Sequence, residues 1–125
     1  MIKREKAIQN YIDGYNQFDI DKMVSDFEEA IIFENIQGGE TNMSLTGLTS
    51  FKQQAEQAKA YFSSRTQSIT SFKHFENETE IEINYFAVLG IDFPNGLKKG
   101  QELNLKGKSI FEFSGDKISK LTDIS

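Results

Sequence analysis

The chain contains no cysteine. That excludes disulfides, zinc–thiolate centres and cysteine nucleophiles together, and it fits a reducing compartment. Tryptophan is absent as well, and proline and histidine occur once each. A single histidine, His74, without cysteines or converging carboxylates beside it, makes no metal site and reads as strand surface. No Ser-His-Asp order, dinucleotide fingerprint or phosphate-binding loop is present, and Gly38-Gly39 sits in a turn rather than before a helix. Neither a metal nor another cofactor is therefore expected. No apolar run approaches the roughly 20 residues that span a bilayer. The opening Met1-Ile2-Lys3-Arg4-Glu5-Lys6 lacks the apolar centre of a signal peptide. The expectation is a cytoplasmic protein with no membrane partner. Positive charge is also scarce: the formal net charge is −5. The nearest basic cluster, Lys98-Lys99 with Lys106 and Lys108, reads as the solvated tip and stem of a hairpin, so no nucleic-acid partner is expected.

What the chain does have is 125 residues, the length of one domain spanning 1–125, and 11 Phe for a core rich in rings. Ile8, Tyr11, Ile12 and Tyr15 form the stripe of an amphipathic helix. Gly14 inside it costs about 1 kcal/mol against Ala and suggests close approach to another element. Asp19 is a good N-cap for a second short helix presenting Ile20, Met23, Val24 and Phe27. Ile31–Ile36 reads as a strand, Gln37–Glu40 as a turn, and Leu48–Phe62 as a third helix with Ser50 and Gln53 in capping-box spacing. Strands follow: Gln67–Phe75, a long alternating run through Ile81, Ile83, Tyr85, Ala87, Leu89, Ile91 and Phe93, then Leu103–Phe113, and last Lys117–Ser125.

Helices first and long strands afterwards is an α+β order, with helices on one face of an antiparallel sheet. The middle of the longest strand, Tyr85–Leu89, is apolar on both faces. Helices cover one face only, so the other, carrying Phe86, Val88 and Ile110, is expected to seat a second copy in a homodimer.

The stretch from Tyr11 to Asn35, with a helix ending in a polar turn at Asp19, a second helix near Phe27 and a strand soon after, resembles the opening of NTF2-like domains. Leu45-Thr46-Gly47 before a helix, and Ile110–Ile118 as a penultimate hairpin, fit the same pattern. The resemblance, including to the SnoaL-like members, covers nearly the whole chain. It implies three N-terminal helices packed into a strongly curved antiparallel sheet, a cone around an apolar pocket. It implies little about function, because one fold hosts many. Against the ketosteroid isomerases of that superfamily, Tyr11 falls at the oxyanion-donating tyrosine, Asn35 at the general-base aspartate and Ser109 at the second oxyanion donor. A neutral amide cannot take and return a proton, so the resemblance argues against steroid isomerisation by that mechanism.

For each candidate two readings stand. Tyr11 is a pocket hydroxyl or a core tyrosine. Asn35, on the face of Phe33, lines the pocket or is a satisfied structural amide. Ser109, on the face of Phe111, widens the cavity or lets a helix approach. Tyr85 lines the cavity or belongs to the core, and Tyr15 joins the pocket set. Asp123 either reaches the mouth of the cone, where it is the carboxylate best suited to replace the missing base, or is an exposed aspartate on an edge strand. Three functions follow. One is a pocket protein for an apolar small molecule, the second a non-catalytic association module with a filled cone, and the third an isomerase- or hydratase-type enzyme using Asp123 or His74. Cavity volume separates the first two.

Overall fold

The computed structural model describes residues 2–125. Helices α1 (Ile2–Asn16) and α2 (Ile20–Val24) lead into a hairpin of β1 (Phe27–Gln37) and β2 (Glu40–Thr46). Helix α3 (Leu48–Lys59) follows, then β3 (Phe62–His74), β4 (Glu78–Leu89), β5 (Glu102–Ser114) and β6 (Lys117–Ile124). Two helices, not three, therefore open the chain. The segment read as a turn and its exit is strand β2, whose only large apolar residues are Met43 and Leu45. An edge strand with one face in water needs no more.

The six strands lie in the order β2-β1-β6-β5-β4-β3. All neighbours are antiparallel except β1 and β6, which run parallel. The sheet is mixed rather than antiparallel for a topological reason. Its partner β2 occupies one edge of β1, and the β3–β4–β5–β6 meander delivers its last strand to the other edge pointing the same way. This overturns one further expectation: Asp123 is not on an edge strand, because β6 has neighbours on both sides.

Helix boundaries also shift. α2 stops at Val24, so Phe27 opens β1 and pairs with Ile118 instead of completing a helical stripe. α3 stops at Lys59, and Phe62 opens β3. Its N-cap is Gly47 at φ 95°, with no side-chain cap, so Ser50 and Gln53 form no capping box. Asp19 does cap α2, its carboxylate accepting from Lys22 N at 3.1 Å. β4 ends at Leu89, and Ile91 and Phe93 lie beyond it; Gly90 passes so close to β3 that a Cβ there would stand 3.1 Å from the backbone of Phe62 and Ser63.

The turn between α1 and α2 is tight. A Cβ on Gly14 would lie 2.6 Å from Met23 N, so the close approach suggested by the sequence is the reason for glycine here. Phe18 N–H bonds Tyr15 O (3.2 Å) and Asp19 N–H bonds Gly14 O (2.8 Å). This is a Schellman ending with Phe18 in the left-handed position, at φ 58°, where glycine is the usual residue. Asn16 then grips β3 through both amide atoms, accepting from Gln67 N (2.8 Å) and donating to Gln67 O (3.0 Å). At the other end of α1, Arg4 donates to the carbonyls of Phe75, Glu76 and Glu78 in the β3–β4 turn.

Between helices and sheet lie Ile8, Ile12, Ile31, Ile81, Ile118 and Leu121, each no more than 1% exposed. Burying one such side chain is worth about 1.5–3 kcal/mol. Phe111, at 0%, packs its ring 5.6 Å from that of Tyr11.

Candidate functional site

Strand register places the polar inner residues in one line. Asn35 pairs with Asp123, Asp123 with Ser109, and Ser109 with Ile81. Residues directly opposite one another share a sheet face, so Asn35, Asp123 and Ser109 stand side by side on three adjacent strands. The neighbouring row, Phe33, Leu121 and Phe111, is apolar.

Two hollows meet at this polar row. The larger, of about 380 Å³, is walled by Tyr85, Ser109, Gln67 and Ile83, and by Leu105, which is 53% exposed and marks the side open to solvent. The smaller, of about 160 Å³, lies under the helices between Tyr11, Phe33, Phe51 and Arg65. Tyr15, Asn35 and Asp123 line both.

The ionisable group at the junction is Asp123. Burial pushes its carboxyl up to about 6, against the opposing effect of Ser109, whose hydroxyl donates to Oδ1 at 2.7 Å. Tyr11, 4% exposed, lines the smaller hollow, and among the described residues nothing hydrogen-bonds its hydroxyl. Its pKa is raised well above the ordinary tyrosine value, first by burial and next by the negative charge of Asp123. The Tyr15 and Tyr85 hydroxyls bond each other at 2.8 Å, and burial raises both. Asn35 Nδ2 donates to Asn42 Oδ1 at 2.8 Å. That contact exists because the β1–β2 register shifts between Asn35 and Ile36, leaving Asn42 between the paired Thr41 and Met43.

The structure thus brings Tyr11, Tyr15, Phe33, Asn35, Tyr85, Ser109 and Asp123 to the walls of the cone. Phe111 is the exception among the sequence candidates. It points to the same side but is sealed in the core behind Tyr11 and reaches neither hollow. His74 is not simple strand surface: it is half-buried, with Nε2 2.7 Å from Glu5 Oε2 and Nδ1 2.9 Å from Thr79 Oγ1. It serves to pin α1 to the end of β3, away from both hollows.

Arg65 was not singled out in the sequence. It is 4% exposed, near the start of β3, and its guanidinium lies between two rings, 3.7 Å from the centroid of Tyr15 and 4.3 Å from that of Phe18. Nε donates to Tyr15 O at 2.8 Å, and Nη2 is buried with no partner. The only sequence signal is an arginine two residues before Gln67, on the inward parity of a strand that starts earlier than the pattern suggested.

No family model and no curated protein sequence matches the chain. Solved structures do match. A candidate SnoaL-like polyketide cyclase from a Jannaschia species superposes with a TM-score of 0.83 at 7% identity, over 98% of this chain and 84% of that one. An NTF2-like protein of unknown function from Burkholderia pseudomallei gives 0.77 at 10% identity, over 98% and 90%. The fold is NTF2-like. An LEH-like epoxide hydrolase from Mycobacterium tuberculosis gives 0.76 at 11% identity, over 98% and 82%. At these identities the likeness concerns the NTF2-like fold alone, so what this cone does has to be argued from its own side chains.

Proposed function

We propose that the cone is a binding pocket for a small, largely apolar molecule carrying an oxygen function, held with that oxygen over the Asn35–Asp123–Ser109 row. One observation carries this: Asn35 and Asp123 line both of two adjoining hollows, with Ser109 beside them in the larger, among walls made mostly of aromatic and aliphatic side chains. A concave, mostly apolar site with a few converging polar groups is the usual design of a ligand pocket. A hollow of about 380 Å³ favours this over an association module with a filled cone. The test is native mass spectrometry on gently purified protein, joined to a thermal-shift screen of single-ring ketones, alcohols and acids. A co-purified small molecule, or a compound class that raises Tm, supports the reading. A protein that carries nothing and responds to nothing at millimolar concentration overturns it.

A second reading, proton-transfer catalysis, is favoured by Asp123. A carboxyl pushed up to about 6 is mostly ionised at neutral pH yet basic enough to take a proton from an activated carbon. Asn35 lacks that capacity, while the unpartnered Tyr11 hydroxyl is free to donate to the oxygen that gains charge. The NTF2-like fold supports enzymes, an epoxide hydrolase among those superposed above. Exchange of α-hydrogens for deuterium in a bound ketone, read by NMR, is expected with the native protein and lost in Asp123→Asn. Equal exchange in both would remove Asp123 from the role.

We also propose a homodimer through the outer sheet face. On the outer sheet face Phe86 is 41% exposed, with Val88 and Ile110 half-buried. Two ion pairs, Lys108–Glu80 and Lys120–Glu34, lie on the same face. The exposed apolar residues on this uncovered face are what a second copy would cover.

A further inference from the structure

We propose that Arg65 is the anion-recognising end of the smaller hollow, and that the ligand placed there is a single-ring carboxylate. This rests on the reading of the cone as a small-molecule pocket and narrows it to a chemical class.

The argument begins with an unbalanced charge. Arginine stays protonated in a protein interior, and an interior cation without a counter-charge is costly. None of the ion pairs within 4 Å among the described residues includes Arg65. The rings of Tyr15 and Phe18 face its guanidinium, and the Tyr15 carbonyl takes Nε. These contacts orient the group, and Nη2 is left buried without a hydrogen-bond partner. A guanidinium held flat, with a terminal nitrogen unsatisfied, lacks the kind of oxygen acceptor that a carboxylate supplies.

The space beside it limits what the carboxylate is attached to. The hollow that Arg65 lines measures about 160 Å³, and a dry cavity of roughly 150 Å³ accommodates benzene. Tyr11, Phe33, Phe51 and Met23 give it a largely apolar wall, with Asn35, Gln54 and Asp123 as the polar groups besides Arg65 and the tyrosine hydroxyls. A ring of six carbons fills it, with the acid on Arg65 and the opposite edge toward Asp123, which lines the same space.

The experiment compares benzoate with benzamide, the same ring carrying a neutral group, by isothermal titration against the intact chain. Benzoate is expected to bind at least about tenfold more tightly, as suits a charge-assisted bond in a buried site. The Arg65 Nε–H resonance should shift on its addition. In Arg65→Gln, benzoate should fall to the level of benzamide, with benzamide unchanged. Arg65→Lys, keeping charge without the planar fork, should lie between. Equal affinity for the two rings in the native protein overturns the assignment of Arg65 and leaves the pocket reading standing. Failure of both rings to bind overturns this inference, and the pocket reading falls with it only if the mass-spectrometric and thermal-shift screens are also blank. Should Arg65→Gln not fold, the two-ligand comparison and the Arg65 resonance in the native protein decide alone.

Discussion

At the scale of the residue, Asp123 carries the most consequence for solution behaviour. Its carboxyl is harder to ionise in the folded chain than in the unfolded one, because burial outweighs the Ser109 hydrogen bond. The folded state therefore holds the proton more strongly between the ordinary carboxylate value, about 4, and about 6. Stability contributed by this group is present below that window and is lost as pH rises through it. Asp123→Asn should remove this slope and stabilise the protein at pH 7, by up to about 3 kcal/mol at one pKa unit per 1.4 kcal/mol. Urea denaturation at pH 4 and pH 7 checks it: a variant no more stable than the native chain at pH 7 contradicts the burial argument. The same residue shows what a sequence withholds. Strand parity put Asp123 on the face of Leu121, yet whether that face turned inward and whether the strand lay at an edge depended on which partners it met. Arg65 was more deeply hidden. Nothing local distinguishes a surface arginine from one clasped by a tyrosine 50 positions and a phenylalanine 47 positions away along the chain, since both contacts are made only when α1 docks on β3.

At the scale of the element, the α1–α2 corner is set by contact rather than propensity. Replacing a mid-helix glycine by alanine ordinarily gains about 1 kcal/mol. At Gly14 the sign should reverse, because the added methyl would meet the Met23 backbone at 2.6 Å and a backbone atom cannot rotate aside. Gly14→Ala is expected to lower stability by about 1–3 kcal/mol, read from its urea midpoint; a gain would show that α2 shifts freely. The position was legible because an internal glycine in an otherwise regular stripe asks for a reason. α1, the Asp19 cap, β4 and β5 were legible too, each having long periodicity or a clear capping residue. β2 was not, since Glu40–Thr46 is short and polar and gains its strand character from pairing with β1. The capping box at Ser50 failed for the complementary reason: Gly47 N–H already bonds Ile31 O, and that contact fixes where α3 begins.

At the scale of the whole molecule, the proposed pairing through the outer face has a direct readout. Light scattering at high micromolar concentration should give twice the chain mass, and Phe86→Lys should return it to one chain without loss of helical or strand signal. A native mass of one chain removes the dimer. How deep the cone is came from the sheet as a whole. The alternation along each strand, the helix stripes and the neutral amide at Asn35 were written in the order of residues, because side-chain period and chemistry are local properties. The parallel seating of β6 between β1 and β5, the line of Asn35, Asp123 and Ser109, the two hollows and the unpaired Arg65 were decided only in three dimensions. Register between distant strands, burial and the electrostatic setting of a charge are properties of neighbours, and the chain acquires those neighbours on folding.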